Sequence, residues 1–147
     1  MSGGLWERTA AYVANGNGNL KAYGASIAYD GANLKTTSTK YTTVYPHDTS
    51  KDNTSISSTD ANLNTASQAN YLANKYIYGD AIRETSTAGT GASSWKGDYS
   101  YFTGLDNPFS FRGGRWTNGS VAGLFCFYRH GGYSSYGVGF RAVLVAV

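Results

Sequence analysis

Residues 111–145, FRGGRWTNGSVAGLFCFYRHGGYSSYGVGFRAVLV, join two strand-like ends through an irregular middle. The segment opens with a phenylalanine and an Arg-Gly-Gly turn, because successive glycines permit backbone conformations that other residues avoid. It closes with an apolar run that is too short to span a bilayer and is typical of a buried strand. Arg, His, Tyr, Ser and Gly lie between them, without lysine or carboxylate. Such polar and aromatic side chains are typical of surfaces that contact other molecules.

The composition of the whole chain favours sheet and long loops. Its 147 residues are enough for one domain with a core. They include 19 Gly and 13 Tyr but only 14% charged residues, and aromatic and β-branched residues are enriched in strands. The net charge of +3 comes from scattered Lys and Arg residues, without the run typical of nucleic-acid binding. We expect one domain over residues 1–147, with no nucleic-acid partner and no direct membrane insertion.

Local patterns predict few regular elements before residue 108. Residues 1–14 predict a turn followed by a strand or short helix, and residues 15–19 predict a turn cluster. Residues 20–45 predict loops and short strands, and residues 46–60 a polar surface loop. The best helix pattern is NTASQANYLANKY at 64–76, where alanines recur at helical spacing. Paired strands are predicted in PFSFRGG, AGLFCFYR and VGFRAVLVAV.

The residue pattern contains no catalytic or metal-binding constellation. His47 and His130 are far apart and, with a single cysteine, do not form a zinc pattern. EF-hand spacing, a phosphate-binding glycine loop with its lysine, and a nucleophile elbow are all absent from the sequence. Cys126 lies in the apolar stretch LFCFY and is expected to be a buried, unreactive thiol. We therefore expect no enzyme, no metal and no cofactor.

Two motifs bracket nearly the whole chain. The first is MSGGLWERT at 1–9, and the second is RGGRW…VGFRAVL at 112–144. In this order they resemble the formylglycine-generating enzyme (sulfatase-modifying factor) family. The resemblance implies an α+β, C-type-lectin-like (formylglycine-generating-enzyme-type) fold, rich in loops, with short antiparallel strands and one or two helices. It implies that the chain is the C-terminal part of a larger protein. It also implies a structural set: Trp6, Glu7, Arg112, Gly113, Gly114, Trp116, Gly139, Phe140 and Arg141.

The catalytic cysteines of that family have no counterpart here. The enzymes carry a cysteine pair after the RGG turn, whose places would fall at about Asn118 and Gly123 in this chain. Cys126 lies outside that register. The resemblance therefore extends to the fold, and a shared fold does not imply a shared function. An oxidase of the formylglycine-generating type is kept as an alternative.

Residues 112–141 match a second sequence pattern. RGGRW, TNGSVAGLFCF, YRHGGYSSYG and VGFR resemble the pattern RGGxW, NNGxxAGxFxF, scattered polar positions and VGFR. That pattern belongs to the variable proteins of diversity-generating retroelements, in which a reverse transcriptase randomises adenines. Asparagine AAY codons then become NNY codons, which cannot encode Lys, Glu, Gln, Met or Trp. None of these five residue types occurs in residues 117–147.

This second resemblance implies a ligand-binding display domain with a diversified surface at about residues 115–137. Its partner is expected to be a protein or glycan on another cell or host surface. Its location is expected to be extracellular or at the cell surface, with a pilus or phage tail as further settings. The alternative is a fixed structural or adhesive module of a pilus, cell-surface or phage tail protein. The expected variable face comprises Arg115, Thr117, Asn118, Ser120, Tyr128, Arg129, His130, Tyr133, Ser134 and Tyr136.

Overall fold

A computed structural model describes residues 4–47, 98 and 101–140, and this part of the chain is α+β with mostly strands. None of the helices in these residues is long and apolar enough to cross a membrane. The elements are β1 (Trp6–Val13), α1 (Gly18–Ala28), β2 (Tyr29–Asp30), β3 (Asn33–Leu34), β4 (Thr43–Tyr45), β5 (Phe109–Arg112), a 3₁₀ helix (Trp116–Val121), β6 (Phe127–His130) and β7 (Val138–Gly139).

The main sheet is organised around β1. Strand β5 pairs antiparallel with β1, and β6 pairs antiparallel with β5, giving the order β4–β1–β5–β6. Strand β4 runs parallel to the C-terminal half of β1, and β7 runs parallel to its N-terminal end. The resemblance implied short antiparallel strands, and these two parallel pairings differ from that expectation. Parallel pairing here joins residues far apart in the chain, which local patterns do not report.

The two faces of this sheet pack against different partners. Side chains alternate between the faces along each strand. Tyr12, Val44 and Phe109 lie on the face that α1 covers, which we call the helix face. The opposite face buries Val13 and Phe127 in a second cluster. A third cluster forms around Trp6 and Phe111 on the same face of the sheet as Phe109, and it positions the site described below.

Helix α1 was not predicted, because NGNGN was interpreted as a turn and residues 20–45 as loops and short strands. Asn17 caps the helix, since its side-chain oxygen accepts a hydrogen bond from a backbone N–H of the first turn at 2.8 Å. Leu20, Gly24 and Ala28 are buried, and their i, i+4, i+8 spacing sets the face that packs on the sheet. Gly24 lets the Phe109 ring approach, because a Cβ there would lie 2.4 Å from the ring.

The strand predictions in the C-terminal segment are confirmed in part. Strand β1 settles the strand-or-helix alternative for residues 1–14, and β5 lies within PFSFRGG. In AGLFCFYR the strand begins only at Phe127, and Leu124 is 67% exposed, so the apolar run before it is not a buried strand. Of the last predicted strand, the structure describes Val138–Gly139 as β7. The helix predicted over 64–76 and the surface loop beyond His47 lie outside the described residues.

Several residues of the expected structural set have the expected surroundings. Trp6 is 4% exposed. Glu7 and Arg112 are paired across β1 and β5, which places both side chains on one face, although both are only half-buried. Gly113 has a φ of +73° and donates a hydrogen bond to the carbonyl of Cys126. These contacts join the RGG turn to β1 and to the start of β6.

Other members of that set need correction or comment. Gly114 is buried against Ala122, and Gly139 pairs with Glu7. Trp116 and Phe140 were expected to be structural, but their side chains are 71% and 82% exposed. The backbone of Trp116 accounts for its place in the fold, since its N–H donates to the Gly4 carbonyl at 2.8 Å while the ring faces solvent. Phe140 follows the short strand β7, and Arg141 lies outside the described residues.

Candidate ligand-binding site

A pocket of about 320 Å³ lies over the end of the helix face that contains Trp6. We call it the aromatic pocket. Its floor is formed by alternate residues of four strands, which share a face because of the pairing described above. Its walls come from the segment that begins at Arg115 and from the turn between β6 and β7. The lining residues are Trp6, Phe111, Arg115, Asn118, Tyr128, His130, Tyr133, Ser135, Tyr136, Gly137 and Val138.

The floor of the aromatic pocket is held by ring packing. Trp6 stacks on Tyr128 with ring centroids 5.3 Å apart, and the edge of Tyr101 meets Tyr128 at 5.6 Å. Trp6 and Phe111 lie deepest and are 4% and 1% exposed. The surface that a ligand meets is therefore formed by the side chains above them. Aromatic pairs of this kind add about 0.5–1.5 kcal/mol beyond the area that they bury.

His130 joins the floor to the wall. Its ring stacks on Phe111 at 4.7 Å and lies 4.2 Å from the ring of Tyr133. The Gly132 N–H donates to Nδ1 of His130 at 3.0 Å, so Nδ1 carries no proton and the neutral ring has its proton on Nε2. Burial lowers the pKa of His130 below its ordinary value of 6.5, and the positive charge of Arg8 lowers this pKa further.

Arg8 supports the turn that carries Tyr133. Its Nη1 donates to the Gly132 carbonyl at 2.8 Å, and its Nη2 donates to the Tyr133 carbonyl at 2.7 Å. The guanidinium also lies 5.4 Å from the centre of the Phe111 ring. Gly132 has a φ of +101°, which favours glycine. Two charge-assisted hydrogen bonds and a left-handed glycine thus fix the turn beside the pocket.

Arg115 and Asn118 form the opposite wall. The Arg115 N–H donates to Oδ1 of Asn118 at 2.9 Å, and the Asn118 N–H donates to the Arg115 carbonyl at 2.9 Å. The Arg115 side chain packs over Gly137, where an added Cβ would lie 3.2 Å from Cδ and 3.3 Å from Nη1. Its Nε is buried and makes no hydrogen bond to the described part of the chain.

The structure brings six of the ten expected variable-face residues together in this one pocket. They are Arg115, Asn118, Tyr128, His130, Tyr133 and Tyr136. Thr117, Ser120 and Ser134 are exposed but do not line it. Arg129 is placed differently from its neighbours, because alternation along β6 turns it to the opposite face of the sheet, with its guanidinium 5.6 Å from the Tyr101 ring. The expectation of a single face holding all ten residues is therefore wrong for Arg129.

Other parts of the pocket were not predicted from the sequence. Phe111, Ser135, Gly137 and Val138 line it, and Arg8 supports it from behind. The period-2 pattern of β5 was available as a signal for Phe111. No local pattern predicts the contribution of Arg8, because its hydrogen bonds join residues more than 120 positions apart.

A second pocket, of about 390 Å³, shares Arg115 with the aromatic pocket. Glu7, Arg112, Trp116 and Leu124 line it together with several glycines. Gly123 is one of these glycines. Cys126 is fully buried, as expected for an unreactive thiol. Within residues 4–47, 98 and 101–140 we find no group of three or more His, Cys, Asp or Glu side chains able to hold a metal ion.

Comparison of the chain with protein-family models, curated proteins and solved structures found no match. The class of site is therefore defined by its own residues. It is a concave surface with an aromatic floor and a few polar groups converging from its walls, which is the usual composition of a small-ligand pocket.

Proposed function

We propose that this protein is a ligand-binding display domain of the C-type-lectin-like fold, with a surface at about residues 115–137 diversified by retroelement mutagenesis. It recognises a protein or glycan outside the cell, on a cell surface, pilus or phage tail, and performs no chemistry. The observation that carries the proposal is the convergence of six expected variable residues on one pocket, from positions as far apart as Arg115 and Tyr136.

The burial of the side chains in this segment supports a constant core beneath a variable surface. Cys126 and Phe127 lie in the middle of the segment and are fully buried, whereas Tyr133 and Tyr136 are 50% and 81% exposed. Exposed positions tolerate substitution at a cost of about 0.5 kcal/mol or less, while buried ones do not. A surface can therefore change at the exposed positions and leave the core intact.

The residue types at the pocket suit binding by shape and hydrogen bonding. Tyrosine offers a large, rigid contact area with a polar tip, and Tyr and Arg dominate binding hot spots. Tyr133 and Tyr136 stand at the mouth, and Arg115 forms a wall. A protein or glycan partner would meet all three side chains.

Deep sequencing of the coding locus in a growing population tests the proposal. Variation is expected at adenine-derived codons within 115–137, with residues 112–114 and 139–141 constant. The codons of Cys126 and Phe127 are the internal control, since they lie in the same segment but encode fully buried residues. Variation at the exposed codons and not at these two supports a diversified display surface. A segment as invariant as its flanks contradicts the proposal and favours a fixed structural or adhesive module.

A further inference from the structure

Several polar groups of the aromatic pocket can donate a hydrogen bond to a ligand. The Asn118 Oδ1 accepts from the Arg115 N–H, which fixes the orientation of the amide and leaves its NH₂ able to donate to a ligand. Nδ1 of His130 accepts from Gly132, which leaves the Nε2 proton. The Ser135 Oγ accepts from the Gly137 N–H at 3.4 Å, which leaves its hydroxyl proton. Each of these three groups therefore keeps a donor for a ligand, and the exposed hydroxyls of Tyr133 and Tyr136 can donate as well.

The charge of the pocket has one sign. Arg115 lines it, and no Asp or Glu is among its lining residues in the described part of the chain. The Arg115 Nε is buried without a hydrogen-bond partner among those residues. Because this atom is closed to a ligand, an oxyanion in the pocket is expected to accept from the terminal Nη groups of the half-buried guanidinium, in charge-assisted hydrogen bonds. The planar guanidinium fork fits a carboxylate in two parallel hydrogen bonds.

The size and the aromatic lining of the pocket indicate which kind of chemical group carries the anion. A volume of about 320 Å³ lies at the lower end of the range for ligand pockets and holds a group the size of one amino-acid residue. The accessible lining includes the rings of Tyr128 and His130 on the floor and of Tyr133 and Tyr136 on the wall. Flat aromatic bodies stack on such rings.

We propose that the aromatic pocket binds a carboxylate carried on a single aromatic ring, with Arg115 holding the carboxylate and the tyrosine and histidine rings holding the body. This inference deepens the proposed function and rests on it for the biological ligand. The ligand that agrees with the proposed function is the C-terminal aromatic residue of a protein, and a free aromatic acid is the second source of the same chemistry, which the test below distinguishes. If the segment is diversified, this preference belongs to the present combination of Arg115, Asn118 and His130, and other combinations select other ligands.

The test is a titration of the full chain with sodium benzoate and with benzamide, its uncharged counterpart of equal size, followed by NMR and calorimetry. Benzoate is expected to bind at least about tenfold more tightly than benzamide, because only benzoate forms the charge-assisted pair. Benzoate should shift the resonances of His130, Tyr136 and Gly137. N-acetyltyrosine and its amide form a second pair. An acid preference in this pair too identifies a chain end, whereas a preference confined to benzoate identifies a free acid.

Three variants test whether the preference for benzoate over benzamide depends on the aromatic pocket. Arg115→Gln should remove the preference for benzoate over benzamide. Asn118→Asp should do the same, since the new carboxylate keeps the acceptor for the Arg115 N–H but repels the ligand. Arg129→Gln is the matched control, because that side chain lies on the other face of the sheet, and it should bind benzoate like the parent protein.

Three results would overturn the inference: equal affinity for benzoate and benzamide, an unchanged preference in Arg115→Gln, or a preference for glucuronate, which has no aromatic ring, over benzoate. The sequencing experiment is independent of this test. A variable locus with no benzoate preference leaves the display function standing and rejects the carboxylate pocket. An invariant locus with a clear preference leaves a carboxylate-binding module that is not diversified.

Discussion

Replacing Gly132 with alanine is expected to destabilise the protein by about 2–6 kcal/mol. The φ of +101° costs a residue with a side chain about 1–3 kcal/mol. The new Cβ would lie 2.5 Å from Cε2 of Phe109 and 2.7 Å from Cβ of Tyr23, closer than real Cβ atoms approach. Phe109 is 5% exposed and Tyr23 belongs to α1, so relief requires the core or the helix to shift. Overpacking of this kind costs about 1–3 kcal/mol more.

The same substitution should disturb the aromatic pocket. Gly132 donates to Nδ1 of His130 and accepts from Arg8, so a displaced turn weakens both hydrogen bonds. Urea denaturation followed by far-UV circular dichroism measures the loss as a lower midpoint at constant slope. Benzoate titration of the folded variant measures the effect on the pocket.

Gly31→Ala is the matched control. Gly31 lies in the turn between β2 and β3 with a φ of +58°, and an added Cβ there meets nothing within 4 Å. This variant should lose only the cost of the left-handed conformation, about 1–2 kcal/mol. The additional loss in Gly132→Ala then reports the clash with Phe109 and Tyr23, together with any difference in cost between a φ of +101° and one of +58°. An equal loss of stability in both would refute the argument that close approach of α1 and β5 requires glycine at Gly132.

Two further predictions concern the floor and the mouth of the pocket. Tyr128→Ala should lower the free energy of unfolding by about 2 kcal/mol or more, because Tyr128 stacks on Trp6 and packs against its buried cluster. Tyr136→Ala should change it by about 0.5 kcal/mol or less, since Tyr136 is 81% exposed. Equal thermal midpoints for the two variants would contradict this assignment. Because the folded-state pKa of His130 is lowered, the unfolded chain binds the proton first, so stability should fall as the pH drops below 6.5 towards that lowered pKa. Denaturation at neutral and mildly acidic pH should show this loss in the parent protein and a smaller one in His130→Gln, and an identical pH dependence in both would reject it.

Local patterns were sufficient to predict parts of the fold. Strand β5 follows the alternating and aromatic pattern of FSF, and the burial of Cys126 follows from its apolar neighbours. The place of β6 was predicted, but its start was not, because an apolar run of this length does not show where pairing begins. Pairing begins at Phe127, whose partner is Arg112 at the end of β5.

Helix α1 shows why other parts were not predicted. Its sequence, GNLKAYGASIA, contains two glycines and has no strong amphipathic pattern. Its stability comes from tertiary packing of Leu20 and Ala28 on the sheet and from the Asn17 cap, and tertiary packing routinely overrides local propensity. The i, i+4, i+8 spacing of its buried residues was the available signal, but the surrounding Asn-Gly cluster outweighed it.

The candidate site shows a related limit of prediction from local sequence, and the same alternation along a strand decides which positions of a display surface can vary. Polar residues of a strand were grouped by sequence, but a strand gives each face only every second side chain. Strand β6 therefore offers Tyr128 and His130 to the aromatic pocket and turns Arg129 away. The turn that follows is not bound by this alternation and adds Tyr133 and Tyr136. If the segment is diversified, substitution is tolerated best at exposed turn residues such as Tyr133 and Tyr136, whereas Tyr128 and Gly132 are constrained by packing, so most new binding chemistry has to come from the exposed part of the turn.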